Sequence, residues 1–232
     1  MILHTFNPEN AKIFLRSVSI SPFGDNACYL WLNLSLDCTI EIMQMGTRLD
    51  RSFFARPALE LSPALLGMRL VHRIENMRIA GIITEAEAYD GEQDLACHAK
   101  AGRTPRTEVM YRIPGTAYIY FTYGMHWMFN VVCAEEGYPA AVLVRALQMV
   151  EWISPEKPRA HGPALLTKAL GISRPQNGLD LCNPRGELWL EVGESPDPAL
   201  IRRKPRIGIG GVPEPWKSLE WNFSFDPALT GH

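Results

Sequence analysis

Apolar positions along the chain fall into short runs with two rhythms, one of period two and one of helical period, broken where Gly and Pro cluster. Arg69 to Ile74 and Ile79 to Tyr89 carry apolar and β-branched residues at strand spacing and predict a pair of strands. A loop is predicted from Asp90 to Pro114. Tyr118 to Phe121 and Trp127 to Cys133 then flank Tyr123-Gly124 as the arms of a buried hairpin, and Ala140 to Leu147 reads as a further strand. Trp189 to Val192 and Arg206 to Ile209 predict two late strands. Helices are fewer. Ser62-Pro63-Ala64-Leu65-Leu66-Gly67 reads as a short helix beginning near Pro63, and Pro163 to Leu170 as a helix with its proline in the first turn and Gly171 as its stop. Residues 1–50 are unlike the remainder. There Leu30, Leu32, Leu34 and Leu36 alternate like a half-exposed strand within Ala27 to Leu36, but no constellation of reactive side chains accompanies them. The pattern divides the chain into an N-terminal extension, 1–50, and one mixed α/β domain, 51–232.

Composition narrows the class. A chain of 232 residues, 47% apolar and 21% charged, can bury a core without staples and is neither disordered nor fibrous. Its five cysteines, Cys28, Cys38, Cys97, Cys133 and Cys182, form no C-x-x-C pair, which points to a reducing compartment and away from a zinc knuckle or a disulfide framework. The net charge of -2 does not by itself indicate a nucleic-acid partner. Positive charge is nevertheless concentrated in two places: Lys100, Arg103, Arg106 and Arg112 stand against Glu108 alone, and Arg202, Arg203, Lys204 and Arg206 crowd together. Gly115 to Ala134 has no charged residue over twenty positions, long enough to span a bilayer, yet its Tyr and Trp residues lie in its interior rather than at its ends. A hairpin explains the stretch better, and neither a membrane partner nor a targeting signal is expected.

Two groups of side chains invite chemistry. Strand alternation places Glu85, Glu87 and Tyr89 on one face with Ala86 and Ala88 on the other. Paired carboxylates suit acid/base work, although an ordinary charged strand face has the same pattern. With His98 they would offer three metal ligands, but no metal-binding spacing supports this. Tyr89, His98, Tyr118, Tyr120 and Tyr123 lie within thirty-five residues, and such a set either packs a core or forms a slot for a flat, electron-poor ring. Tyr123-Gly124-Met125 holds a rigid ring at a hairpin tip, suited to wedging between bases.

These motifs, in order, resemble one family. Thr84-Glu85-Ala86-Glu87-Ala88-Tyr89, Ala96-Cys97-His98, Arg103-Thr104-Pro105-Arg106, Pro114-Gly115-Thr116, Tyr118 to Met125, Asn130, Leu143 to Leu147, Gly162-Pro163 and Arg206-Ile207-Gly208-Ile209-Gly210 are similar to the alkyladenine (3-methyladenine) DNA glycosylase family over residues 55 to 226. The resemblance implies an α+β single domain, a curved, mainly antiparallel sheet with flanking helices and a hairpin inserted into DNA. The partner it implies is double-stranded DNA containing damaged purines, met by a monomer without cofactor or metal, in the nucleoid or the nucleus.

The resemblance also assigns roles. Glu87 would be the general base acting on water, with Arg145 and the Ile207 carbonyl holding that water. Tyr89, His98 and Tyr120 would sandwich the flipped base, backbone groups of Ala96 and His98 would read its edge, and Asn130 would reject normal guanine. Tyr123, with Met125 beside it, would fill the gap in the duplex, and Arg103 and Arg106 would meet phosphates. With no lysine foreseen beside Glu87, simple hydrolysis leaving an abasic site is expected. His126 and His161 depart from the family pattern at the hairpin and before Gly162-Pro163. The extension is expected to be dispensable, Met43 and Met45 being alternative starts. A non-catalytic DNA-binding module and a metal-dependent hydrolase using Glu85, Glu87 and His98 are the competing readings.

Overall fold

Local sequence rules account for most elements of the computed structural model, which describes residues 46–229. Ala27–Leu36, Cys28, Cys38, Met43 and Met45 lie outside the described residues. Helix α1 (Arg51–Phe54), which the pattern did not suggest, starts where the Asp50 carboxylate accepts the Phe53 N–H at 3.1 Å. Helix α2 runs Ala58–Ala64, so Pro63 sits near its end and not its start. The proline that opens this helix is Pro57, and Pro63, having no N–H, helps close it. Helix α3 (Pro163–Leu170) matches its expected span. Gly171 caps it at φ 67°, where a Cβ would also approach Ile74 Cδ1 to 2.9 Å.

Eight strands form one antiparallel sheet among the described residues: β1 (Arg69–Ile74), β2 (Met77–Asp90), β3 (Ala117–Thr122), β4 (His126–Cys133), β5 (Ala140–Glu151), β6 (Leu188–Glu191), β7 (Arg202–Lys204) and β8 (Asn222–Ser224). The order is β3-β4-β5-β2-β1-β6, giving the α+β class. Long β2 pairs with β5 along one edge; along the other it pairs first with β1 and then, at Glu85–Glu87, with β8, which β7 follows. Irregular register against β5 around Glu85 marks a bulge in the middle of the sheet. The uncharged stretch from Gly115 is a hairpin, and no described helix is long and apolar enough to cross a membrane.

Arg206–Ile209 is not a strand. Three exposed basic residues, Arg202–Lys204, make the ladder instead, and the following residues form a bend with Gly208 at φ 82°. Ala86, Ala88, Phe129, Val131, Val142 and Val144 face the main core under α2 and α3, which also holds Leu61, Leu66, Leu166 and Leu170. The opposite face of the same strands carries Glu85, Glu87, Tyr89 and Arg145.

Candidate active site

A cleft of about 320 Å³ opens on that opposite face, within the usual range for small-ligand sites. Strands β2 to β5 and two loops supply its walls: Tyr89, Ala96, His98, Tyr118, Tyr120, Tyr123, Asn130, Arg145 and Ile207 all line it. Glu87 lies just beneath, with no exposed surface. A buried carboxylate needs donors, and this one has them. Oε1 accepts from Asn222 Nδ2 and the Ile207 N–H, each at 2.8 Å, and Oε2 accepts from the Tyr89 hydroxyl at 2.9 Å. Arg145 approaches more loosely: Nη1 is 3.4 Å from Oε2, and Nε is 3.3 Å from Glu87 and 3.4 Å from Glu85 without a hydrogen bond to either.

The second carboxylate is part of the same cluster. Glu85 Oε1 accepts from Asn222 Nδ2 at 2.8 Å and lies 3.2 Å from Lys204 Nζ. Burial raises its pKa, but Asn222, Arg145 and Lys204 outweigh that and hold Glu85 below the ordinary carboxylate value. A lysine is therefore one carboxylate away from Glu87, closer than the sequence suggested. It is contributed by strand β7, more than a hundred residues from the Glu-x-Glu motif. His98 stands apart from both carboxylates, among the tyrosines, and the described residues contain no cluster of three or more His, Cys, Asp or Glu that could hold a metal.

The aromatic wall is a contact cluster. His98 meets Tyr120 edge-on with ring centroids 4.5 Å apart, and Tyr118 lies 5.5 Å from Tyr120. His98 Nδ1 is 3.0 Å from the Tyr118 hydroxyl, and Nε2 is 3.3 Å from Arg106 Nη2. Because a guanidinium can only donate, Nε2 is the acceptor and Nδ1 carries the proton. Burial, with Arg106 and Lys100 close by, lowers the His98 pKa to about 4, so the ring is neutral at pH 7. Burial likewise pushes the Tyr118 and Tyr120 hydroxyls to about 12. The Asn130 amide is fixed by donating to the Tyr118 carbonyl at 3.0 Å, and the Ala96 N–H by donating to Asp94 Oδ1 at 2.9 Å.

Beyond the cleft the hairpin tip projects outward. Tyr123, 80% exposed, is held at φ 52° beside Gly124 at φ 68°, and Met125 is also exposed. A left-handed tyrosine costs about 1 kcal/mol or more, strain of the kind that collects at functional sites. Both loop arginines are exposed, but each has a partner: Arg103 pairs with Glu108 at 2.7 Å, and Arg106 bends over the Tyr120 ring, 5.3 Å from its centroid. Asn222, Arg206 and Lys204 are the polar neighbours of the carboxylates that sequence reasoning missed. Arg206 stood in a recognised motif without a role, while Asn222 lies in a three-residue strand 135 positions from Glu87.

Residues 52–227 match the model of the methylpurine-DNA glycosylase family. A curated relative from Myxococcus xanthus is 50% identical over 161 residues, covering 69% of this chain and 81% of the relative. Another, from Streptomyces avermitilis, is 43% identical over 185 residues, 74% of this chain and 86% of the relative. A third, from Methanocella arvoryzae, is 42% identical over 188 residues, 75% and 92% respectively. All three bear the provisional name 3-methyladenine DNA glycosylase. Fold, cleft and similarity together define a DNA glycosylase, an enzyme of base excision repair. Within that class, the chain belongs to the methylpurine-DNA glycosylase family.

Proposed function

We propose that the cleft receives alkylated or deaminated purines turned out of duplex DNA and hydrolyses their N-glycosidic bond, leaving an abasic site. The observation that carries this reading is the Glu87 carboxylate, buried beneath an aromatic cleft beside a loosely held Arg145. Extracting a base costs a few kcal/mol, least where pairing is damaged. Stacking on aromatic rings returns roughly 1–3 kcal/mol per base. Tyr89, His98 and Tyr120 are the stacking surfaces, and the cation of an alkylated purine is drawn to the tyrosine faces. Arg106 occupies part of that surface and must leave as the base arrives.

An alkylated, cationic purine leaves as a neutral base, and a deaminated one leaves as an anion that takes a proton from solvent, so for both the chain supplies the nucleophile rather than an acid. Glu87 takes the proton from a water aimed at C1′ while Arg145 and the Ile207 backbone orient it. General-base help of this kind is typically worth about 10²- to 10⁴-fold. The Ile207 N–H is already committed to Glu87, which leaves its carbonyl for the water. At Ala96 the N–H is taken by Asp94, so a contact with the purine edge falls to the carbonyl. Asn130, held by Tyr118, rejects the exocyclic amine of guanine. Tyr123 fills the gap in the duplex with Met125 beside it, and Arg103 exchanges Glu108 for a phosphate. One monomer handles one lesion, in the nucleoid or the nucleus, and residues 51–232 carry the activity; the family match beginning at residue 52 supports that division.

The test is base-release chromatography on duplexes containing 3-methyladenine, 7-methylguanine, hypoxanthine or ethenoadenine. Wild-type protein is expected to release free base without nicking the strand. Glu87→Gln is expected to bind the same duplexes and release none above background. Normal release by that variant, or strand cleavage through Lys204, would overturn the mechanism.

A further inference from the structure

One buried charge near the cleft is not explained by stability. Arg206 and Asp94 form an ion pair with no exposed side-chain surface on either partner. Taking two charges out of water costs several kcal/mol each, and an apolar pair of similar volume is often as stable or more so. This pair is also incompletely satisfied, because Arg206 Nε has no hydrogen-bond partner. What it provides is placement. The guanidinium lies between two rings, 4.8 Å from the centroid of Tyr89 and 4.8 Å from that of Trp221. Nη2 donates to Asp94 Oδ1 at 2.9 Å, Nη1 to the Ala88 carbonyl of β2 at 2.9 Å, and Nη2 also reaches the Trp216 carbonyl at 3.4 Å. Two stretches of chain distant in sequence, 88–94 and 216–221, meet on one planar cation.

Two of the donors that satisfy Glu87 hang directly from this clamp. Tyr89, whose ring Arg206 supports, gives its hydroxyl to Oε2, and Ile207, the next residue in the chain, gives its N–H to Oε1. We infer that Arg206, locked by Asp94, is a positioning residue that aims Glu87 and holds two of its donors, Tyr89 and Ile207, in place. The inference rests on the general-base reading above. The other groups facing Glu87 are Asn222 from β8, Arg145 from β5, Glu85 from its own strand with Lys204 behind it, and Tyr120 across the cleft. None of these hydrogen-bonds to Arg206, and Asn222, although it follows Trp221, is held by its ladders to β2 and β7. Loss of two donors leaves the ionised carboxylate less completely satisfied by hydrogen bonds. The acid limb of the rate profile then moves to higher pH.

The experiment is the pH profile of single-turnover 7-methylguanine release by the full chain, since that ring is already cationic and the acid limb reports the enzyme. The double variant Asp94→Leu with Arg206→Met replaces the pair by apolar groups and avoids stranding a charge. It is expected to shift the acid limb upward by about one pH unit and to slow release at least about tenfold above it. Arg206→Lys, which keeps the charge but not the flat stacking surface, should fall between it and wild type. An unmoved limb, whether at full rate or with every rate reduced by a common factor, would overturn the inference. If the double variant does not fold, Arg206→Lys decides by the same shift. Glu87→Gln, measured alongside, separates the two claims. Its inactivity with an unmoved limb in the Arg206 variants defeats only the clamp, and its activity defeats the general base itself.

Discussion

Strand β2 contributes to a carboxylate–guanidinium pair near each of its ends, and the two are built differently. At the Arg78 end all three guanidinium nitrogens are engaged: Nη1 and Nη2 meet Glu191 at 2.7 and 2.6 Å, and Nε meets Glu151 at 2.9 Å. Trp189 Nε1 adds a fourth contact at 2.7 Å, and Arg48 lies 4.0 Å over the Trp189 ring. At the Glu87 end the nearest Arg145 distances are 3.3 and 3.4 Å, one guanidinium nitrogen makes no hydrogen bond, and the pair adjoins a cleft. Saturated pairs lock a sheet edge. A pair with spare donor capacity beside a cavity has something left to offer a third molecule.

This contrast predicts opposite consequences for like changes. Glu191→Gln breaks a buried pair and should cost about 3 kcal/mol, the full 3–5 kcal/mol being softened because Arg78 keeps Glu151. Calorimetry should find the melting temperature lowered by roughly 6–12 °C, with base release per folded molecule unchanged. Acid should separate the cleft wall from the Arg78 end as well. His98 is neutral in the fold, with its pKa depressed to about 4 from an ordinary 6.5, so its contribution is present above pH 6.5 and is lost as pH falls toward 4. That amounts to a stability loss on the order of 3 kcal/mol. Glu191 is held below the usual carboxylate value by Arg78 and Trp189 despite burial, so the Arg78 end weakens only as pH falls below about 4.5. Urea midpoints followed against pH should therefore flatten in the upper window for His98→Gln and in the lower one for Glu191→Gln.

Smaller effects sharpen the functional side. Tyr123→Ala should weaken binding to damaged duplex about tenfold, the worth of one stacked ring, while its melting temperature stays the same, because alanine meets the same cost at a positive φ. Titration of a labelled duplex checks both the loss and its independence from stability. Arg103→Ala should lower the slope of log affinity against log salt by about one if the arginine trades Glu108 for a phosphate. Arg48→Ala at the closed end should leave that slope alone.

The parts of this molecule that were legible beforehand are those whose residues are close in sequence. Strands β1 to β5 and helix α3 show because apolar alternation and Pro/Gly punctuation are local, and Glu85, Glu87 and Tyr89 share a face by the same period-two rule. The short β7 hid because an edge strand of three exposed cations carries no hydrophobic signal, whereas Ile207-Gly208-Ile209 alternates convincingly and then bends. Helix α2 was misplaced because two prolines compete to mark its start. The tyrosine wall was visible as a density of aromatics. The polar network under it was not: Asn222, Arg206 and Lys204 reach Glu85, Glu87 and Asp94 across more than a hundred residues, and only the sheet topology brings them together.

The central claim is that Glu87, and not its counterpart at the other end of the sheet, performs chemistry. Single-turnover release of 7-methylguanine by Glu87→Gln and Glu191→Gln, each normalised to folded protein, tests it most directly. The account predicts a loss of at least about 10²-fold for the first and none for the second. Equal losses in both variants, or full activity in Glu87→Gln, would contradict it.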